Sequence, residues 1–129
     1  MDYLIPRSVH NLMQVHLQLL NTNLPSLIEG VYLYGSIALG AFDEKKSDVD
    51  FIVLLKREAN EKEVEIIKHI HIQLLEENLG SRMDGMYIQT TDLGKTNDIL
   101  QPYPYCSDGS VEVGHWDVNH VYCFTWNDL

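Results

Sequence analysis

At 129 residues, 45% hydrophobic and 22% charged, the chain has the size and composition of one ordinary globular domain, which excludes collagen-like, mucin-like and linker sequences and any pair of independent domains. Nine Lys and Arg against nineteen Asp and Glu leave a net charge of −10, a field that repels phosphodiester backbones and excludes a general nucleic-acid binder. With no basic-then-apolar leader and no apolar run approaching the ~20 residues of a membrane span, the expected location is the cytoplasm, with no membrane partner.

Residues 6 to 21 are predicted as a helix: Pro6 suits a first turn, and Leu12, Met13, His16, Leu17, Leu19 and Leu20 keep helical spacing until Asn21, Asn23 and Pro25. Gly30 to Tyr34 is a short apolar, aromatic run that reads as a buried strand delivering the chain into Gly35 and Ser36. A second buried strand covers Phe51 to Leu55, beginning near Asp48 and closing at Lys56 and Arg57. Asn60 with Glu63 three positions later has capping-box form and opens a helix striped by Val64, Ile67, Ile70, His71, Leu74, Leu75 and Leu79, with Gly80 as its C-cap glycine. Arg82 to Thr90 is the third predicted strand, with Gly85 its weak point. Residues 92 to 110, holding Gly94, Pro102, Pro104 and Gly109, form a loop with room for short structure. The aromatic stretch from Val111 to Leu129 has no period that assigns it, and its abrupt end reads as the front part of something longer. Alternating helical and strand periods predict an α/β (α+β) domain.

Cys106 and Cys123 fit neither a metal-knuckle nor a disulfide-dense pattern and read as reduced and structural. His69 and His71 are two positions apart on a helix and do not face each other, so they are not a metal pair. His115 and His120 lie in the unassigned stretch, where no ligand geometry can be argued. Beyond Lys95 there is no Lys or Arg, whereas Asp98, Asp108, Glu112, Asp117 and Asp128 remain; a partner there is cationic, unless this is simply solvated surface.

The chemistry concentrates between Tyr34 and Phe51, in YGSIALGAFDEKKSDVDF. A strand ends in Gly-Ser, a small-residue loop turns through Gly40, and the next strand opens with Asp48-Val49-Asp50. Alternate strand residues share a face, so Asp48 and Asp50 project together while Val49 turns inward. Paired carboxylates repel unless a cation sits between them, and oxygen-only ligands suit Mg²⁺, which keeps water and phosphate oxygens as its other ligands. Gly35 allows close backbone approach, and the Ser36 hydroxyl and neighbouring N–H groups can donate to phosphate oxygens. The competing reading is an ordinary turn followed by a solvated strand start beside Lys45 and Lys46.

The stretch LYGSIALGAFDEKKSDVDFIVLL resembles the nucleotidyltransferase superfamily pattern of apolar strand, Gly-Ser, spacer, then Asp-x-Asp in an apolar strand. Its wording is most similar to the N-terminal domain of streptomycin/spectinomycin aminoglycoside adenylyltransferases, with a weaker likeness extending through Gly114-His115-Trp116-Asp117-Val118-Asn119. The resemblance implies a nucleotidyltransferase fold with a mixed sheet of about four to five strands flanked by helices. It implies that Gly35, Ser36 and Ser47 contact nucleotide phosphates, that Asp48 and Asp50 bind Mg²⁺, and that a third carboxylate, matched by Asp84, completes the metal site as general base. That branch prefers Glu where this chain has Asp84, and Asp84-Gly85 also fits a turn. Trp116 falls where the branch has a drug-facing tryptophan; the alternative is a partly buried aromatic. The implied reaction is transfer of AMP from ATP to a hydroxyl of an aminoglycoside-like acceptor, releasing pyrophosphate. One domain is expected over residues 1–129, without the branch's C-terminal helical domain, so a homodimer or a helical partner protein is a candidate to complete it. Two other readings are a minimal nucleotidyltransferase antitoxin acting with a helical partner, and a non-catalytic nucleotide-binding module.

Overall fold

The computed structural model describes residues 5–37, 39–116 and the backbone of 127–128; Cys123, His120 and most of the aromatic stretch lie outside the described residues. The first helix, α1, runs Arg7–Asn23 and buries Val9, Leu12, Met13, His16 and Leu20 along one stripe. It runs two residues past the predicted bound and stops at Asn23, one of the residues expected to end it, where Asn23 Nδ2 donates to Leu19 O at 2.8 Å and Leu24 N–H to Leu20 O at 2.8 Å, occupying carbonyls a helix end leaves open. Strands β1 (Ile28–Leu33) and β2 (Val49–Leu55) pair antiparallel; β1 starts two residues before the predicted run, and Tyr34 N–H still reaches Asp50 O at 3.0 Å beyond its end.

Helix α2 (Glu61–Leu74) opens with the capping box predicted from Asn60 and Glu63: the Asn60 side chain accepts from Glu63 N–H at 2.8 Å and the Glu63 carboxylate accepts from Asn60 N–H at 3.0 Å. Gly80 does not cap this helix, which ends at Leu74 and leads through tight turns to a 3-10 turn at Gly80–Arg82. The left-handed residue is Leu79, at φ 73°, while Gly80 is needed for space, since a Cβ there would meet Leu74 O at 1.8 Å.

Strand β3 (Met83–Gln89) lies parallel to β2 with α2 as the crossover. The predicted 92–110 loop contains a strand: β4 (Tyr103–Ser107) pairs with β3 and turns back into β5 (Ser110–Gly114) through Asp108 at φ 51° and Gly109 at φ 79°, the paired positive angles of a type I′ hairpin turn. Pro104 is tolerated because it sits at the start of β4, away from the Cys106 and Tyr105 pairs with β3. A two-residue strand, β6 (Asn127–Asp128), pairs with β1, and the mixed sheet has the order β5-β4-β3-β2-β1-β6. None of the described helices is long and apolar enough to cross a membrane.

Both helices cover one face of the sheet, where Val49, Phe51, Val53 and Leu55 of β2 meet Leu12, Met13, Ile67, Ile70 and Leu74. The opposite face carries a second cluster, Tyr34, Ile52, Leu54, Met86, Ile88 and Tyr103, with Tyr32, Tyr105 and Trp116 against it. Strand alternation places Asp50 with Ile52 and Leu54, and Asp84 with Met86 and Ile88, so both carboxylates belong to this helix-free face.

Under the helices runs a buried polar chain. His16 Nε2 and His71 Nε2 lie 2.8 and 2.6 Å from the Tyr87 hydroxyl, and Cys106 Sγ lies 3.6 Å from His71 Nδ1 and 3.3 Å from Met83 O. One proton direction satisfies it: His16 Nε2–H donates to Tyr87, whose O–H donates to His71 Nε2, while His71 Nδ1–H donates to Cys106 and its thiol to the Met83 carbonyl. His16 Nδ1 is left as a buried acceptor with no hydrogen-bond partner among the described residues. Burial holds both imidazoles neutral, His71 down to about 3 and His16 well below its usual value, with His71 a second cause at His16. Cys106 is a buried free thiol, as expected, and His69, exposed while His71 is buried, makes no pair with it.

Candidate active site

Parallel register sets Asp50 of β2 opposite Asp84 of β3, so two carboxylates meet across adjacent strands near their N-terminal ends. Asp84-Gly85 is therefore strand and not a turn. Gly85 is required by packing, because a Cβ there would meet Phe51 O at 2.3 Å and the Phe51 ring at 2.6 Å. Asp84 is 9% exposed, and its Oδ1 accepts the Asp108 N–H at 2.7 Å across the β4–β5 turn.

Asp48 stands one residue before β2, and one carboxylate oxygen from each of Asp48, Asp84 and Asp108 lies within 4.8 Å of the others. The spread of donors across an octahedral Mg²⁺ is about 4 Å, so this oxygen-only group fits such an ion with slight closure. Asp108 is the member that sequence reading missed. The available signal was Asp108-Gly109 itself, a dipeptide that marks a two-residue hairpin and would have turned the expected loop into two strands.

Asp50 is directed toward the Gly35 turn: an ideal Cβ on Gly35 would lie 2.2 Å from Asp50 Oδ2, and Gly35 has φ +68°. Both observations demand glycine at this position. Burial first, then the charges of Asp84 and Asp48, push the Asp50 carboxyl up to about 7. Asp84 rises to about 6, mainly by burial and also by Asp48 and Asp108, against the lowering effect of the Asp108 N–H bond. The mutual repulsion is the condition a bound cation relieves. Tyr34 lies on the same face, its phenol raised by burial and by the Asp50, Asp84 and Tyr103 groups.

After Gly35 the chain makes one tight turn, with Leu39 N–H on Gly35 O at 3.2 Å and Ala41 N–H on Ser36 O at 2.8 Å. Ser36 thus begins a turn directly beside Asp50. Ser47 closes a separate turn: its Oγ accepts Asp43 N–H at 2.8 Å, which leaves its hydroxyl proton to donate. Trp116 stacks on Tyr105 with ring centroids 6.4 Å apart and planes 6° from parallel, on the carboxylate face but toward β4. Its backbone is fixed by Asn97 Nδ2 on Trp116 O at 2.7 Å and by its own N–H on the Tyr103 hydroxyl at 3.0 Å. His115 is exposed, with Nε2 2.7 Å from Leu100 O.

A groove of about 830 Å³ between α2 and the ends of β3 to β5, lined by Leu55, Val64, Tyr87, Ile99, Pro104 and Val113, lies at the other end of β2 and β3 from these carboxylates. It is not part of the site.

A protein-family model described as a nucleotidyltransferase domain matches residues 14–106, a span that runs from the middle of α1 into β4 and includes Gly35, Ser36, Ser47, Asp48, Asp50 and Asp84. No curated protein and no solved structure matches the chain.

Proposed function

The chain belongs to the nucleotidyltransferase domain family, and from that premise we propose that it moves AMP from Mg-ATP to a hydroxyl of an aminoglycoside-like acceptor, with pyrophosphate leaving. The observation that carries this reading is the convergence of Asp48, Asp84 and Asp108, with Asp50 beside them, next to the Gly35-Ser36 turn.

In the proposed reaction the acceptor oxygen forms a bond to the α-phosphorus, the α–β phosphoanhydride bond breaks, and the hydroxyl proton passes to Asp84. Mg²⁺, when bound, supplies charge stabilisation at the phosphoryl group and lowers the pKa of the acceptor hydroxyl. Asp48, Asp84 and Asp108 would hold it, with Asp50 alongside. The Asp108 N–H on one Asp84 oxygen orients this carboxylate, which would both face the cation and accept the hydroxyl proton. The Gly35-Ser36 turn and the Ser47 hydroxyl offer donors to the triphosphate. Trp116, stacked on Tyr105, offers a flat aromatic surface to a sugar ring or an ammonium group, and a polycationic acceptor suits the net charge of −10.

The test is Mg²⁺-dependent pyrophosphate release from ATP against a panel that includes streptomycin and spectinomycin, with Asp50→Asn as control. Release that needs both a drug and Asp50 supports the reading and identifies the acceptor. ATP binding with no release for any drug replaces it with a non-catalytic nucleotide-binding module or an enzyme that needs a partner.

A further inference from the structure

The segment that delivers Asp48 is a closed turn. Lys45 N–H donates to Asp43 Oδ1 at 2.9 Å, Ser47 N–H to Asp43 O at 2.8 Å, and Asp43 N–H to Ser47 Oγ at 2.8 Å. These bonds set the shape of the turn, and they leave its placement against β3 to other contacts. That placement comes from Arg82, one residue before β3 and two before Asp84. Its Nε donates to Ser47 O at 2.9 Å, its Nη2 to Ser47 O at 2.5 Å and Asp43 O at 3.1 Å, and its Nη1 to Glu44 O. The guanidinium carbon also lies 5.9 Å from the centre of the Phe42 ring. Three carbonyls of one turn thus converge on one cation, and the Ser47 carbonyl is peptide-bonded to Asp48.

We propose that Arg82 is a positioning residue of the nucleotidyl-transfer site, fixing Asp48 relative to Asp84 and Asp108 and so setting the affinity of the carboxylate group for its divalent cation. The inference rests on the reading of these carboxylates as a metal site. The side chain is suited to the task in a way lysine is not, because a planar fork with five N–H donors can hold three separated carbonyls, whereas an ammonium is a single point with no fixed plane. The turn is largely at the surface, so water can take over its carbonyls when Arg82 is replaced. The fold then loses little, while Asp48 loses its fixed distance to β3.

The experiment is Mn²⁺ binding, read from the electron paramagnetic resonance signal of the free ion, on wild type, Asp48→Asn, Arg82→Lys and Arg82→Gln, each with a thermal melt and a near-ultraviolet circular dichroism spectrum. Wild type is expected to bind, Asp48→Asn to lose binding, and both Arg82 variants to bind about 10- to 100-fold more weakly, the range typical of residues that orient metal ligands, with cooperative melts and unchanged spectra. Non-denaturing guanidinium chloride, and not sodium chloride at the same concentration, is expected to recover binding in Arg82→Ala. Wild-type affinity in Arg82→Lys and Arg82→Gln overturns the inference, and so does loss of the cooperative melt in both, which makes the residue structural. Absence of Mn²⁺ binding in wild type, or binding unchanged in Asp48→Asn, overturns the metal site itself.

Discussion

Gly35 carries two constraints at one position, a left-handed backbone and an Asp50 carboxylate oxygen 2.2 Å from where a Cβ would stand. Gly35→Ala is expected to cost about 1–2 kcal/mol for the left-handed conformation, visible as a lower midpoint in urea, and to displace Asp50, visible as lost nucleotide-dependent activity. A midpoint and activity equal to wild type would remove Gly35 from the site. Gly85 makes a contrasting case on the neighbouring strand. A Cβ there meets the Phe51 carbonyl and ring, so Gly85→Ala should cost about 1–3 kcal/mol through overpacking while leaving the residue types of the site intact. The closeness of Gly35, Ser36, Asp48 and Asp50 was legible in the sequence because the end of β1, one turn and the start of β2 lie within a short segment. Asp108 was not, since only the pairing of β4 with β3 carries it to Asp84, 24 residues away in the chain. Arg82 was invisible for a related reason: its partners are main-chain carbonyls, which no side-chain pattern announces.

Among the elements, α2 was read correctly at its start and wrongly at its end, and the difference is physical. A capping box is a local exchange of two hydrogen bonds between Asn60 and Glu63, so sequence alone specifies it. Asn60→Ala should lower stability by about 1 kcal/mol in chemical denaturation, and an unchanged midpoint would mean that packing alone holds the first turn. The end of α2 depends instead on Gly80 passing close under the Leu74 carbonyl, a tertiary fact. The helices also tie to the sheet through the His16–Tyr87–His71 chain, and this predicts acid behaviour. Both imidazoles titrate lower in the folded chain than the usual value near 6.5, so above that pH they are neutral in both states and contribute no pH dependence. Below it the unfolded chain takes protons that the folded chain refuses, and stability falls at about 1.4 kcal/mol per pH unit for each histidine, down to about pH 3 for His71. Asp50 and Asp84 act oppositely: raised to about 7 and about 6, they protonate first in the folded chain and add stability as pH falls through those values. Comparing wild type with His71→Phe cancels that contribution. The variant's stability deficit should shrink by about 1.4 kcal/mol per unit between pH 6 and pH 4, and a constant deficit would exclude a buried neutral His71.

At the scale of the molecule, both helices pack on one face of the sheet, and Asp50 and Asp84 project from the other. The sequence reading foresaw the mixed sheet and the acidic balance, but it could not tell which face the helices take, because β2 and β3 are apolar and buried on both sides and lack the alternation that labels a solvent face. Four carboxylates gathered at one end of β2 and β3, Asp48, Asp50, Asp84 and Asp108, destabilise the fold by self-repulsion. A divalent cation that binds the folded chain alone must therefore raise its melting temperature. For ~10 mM Mg²⁺ and a dissociation constant of ~1 mM, mass action gives about 1.4 kcal/mol, or a rise of about 3–6 °C for a domain of this size. Simple screening of the overall charge also stabilises, but it follows ionic strength and does not depend on any one carboxylate. The decisive comparison is thus MgCl₂ against NaCl at matched ionic strength, in wild type, Asp84→Asn and a surface control such as Glu65→Gln. The specific increment should persist in the control and vanish in Asp84→Asn. Equal shifts from the two salts in all three proteins would show that the acidic face attracts cations only diffusely, and Asp84 would then have no metal to share.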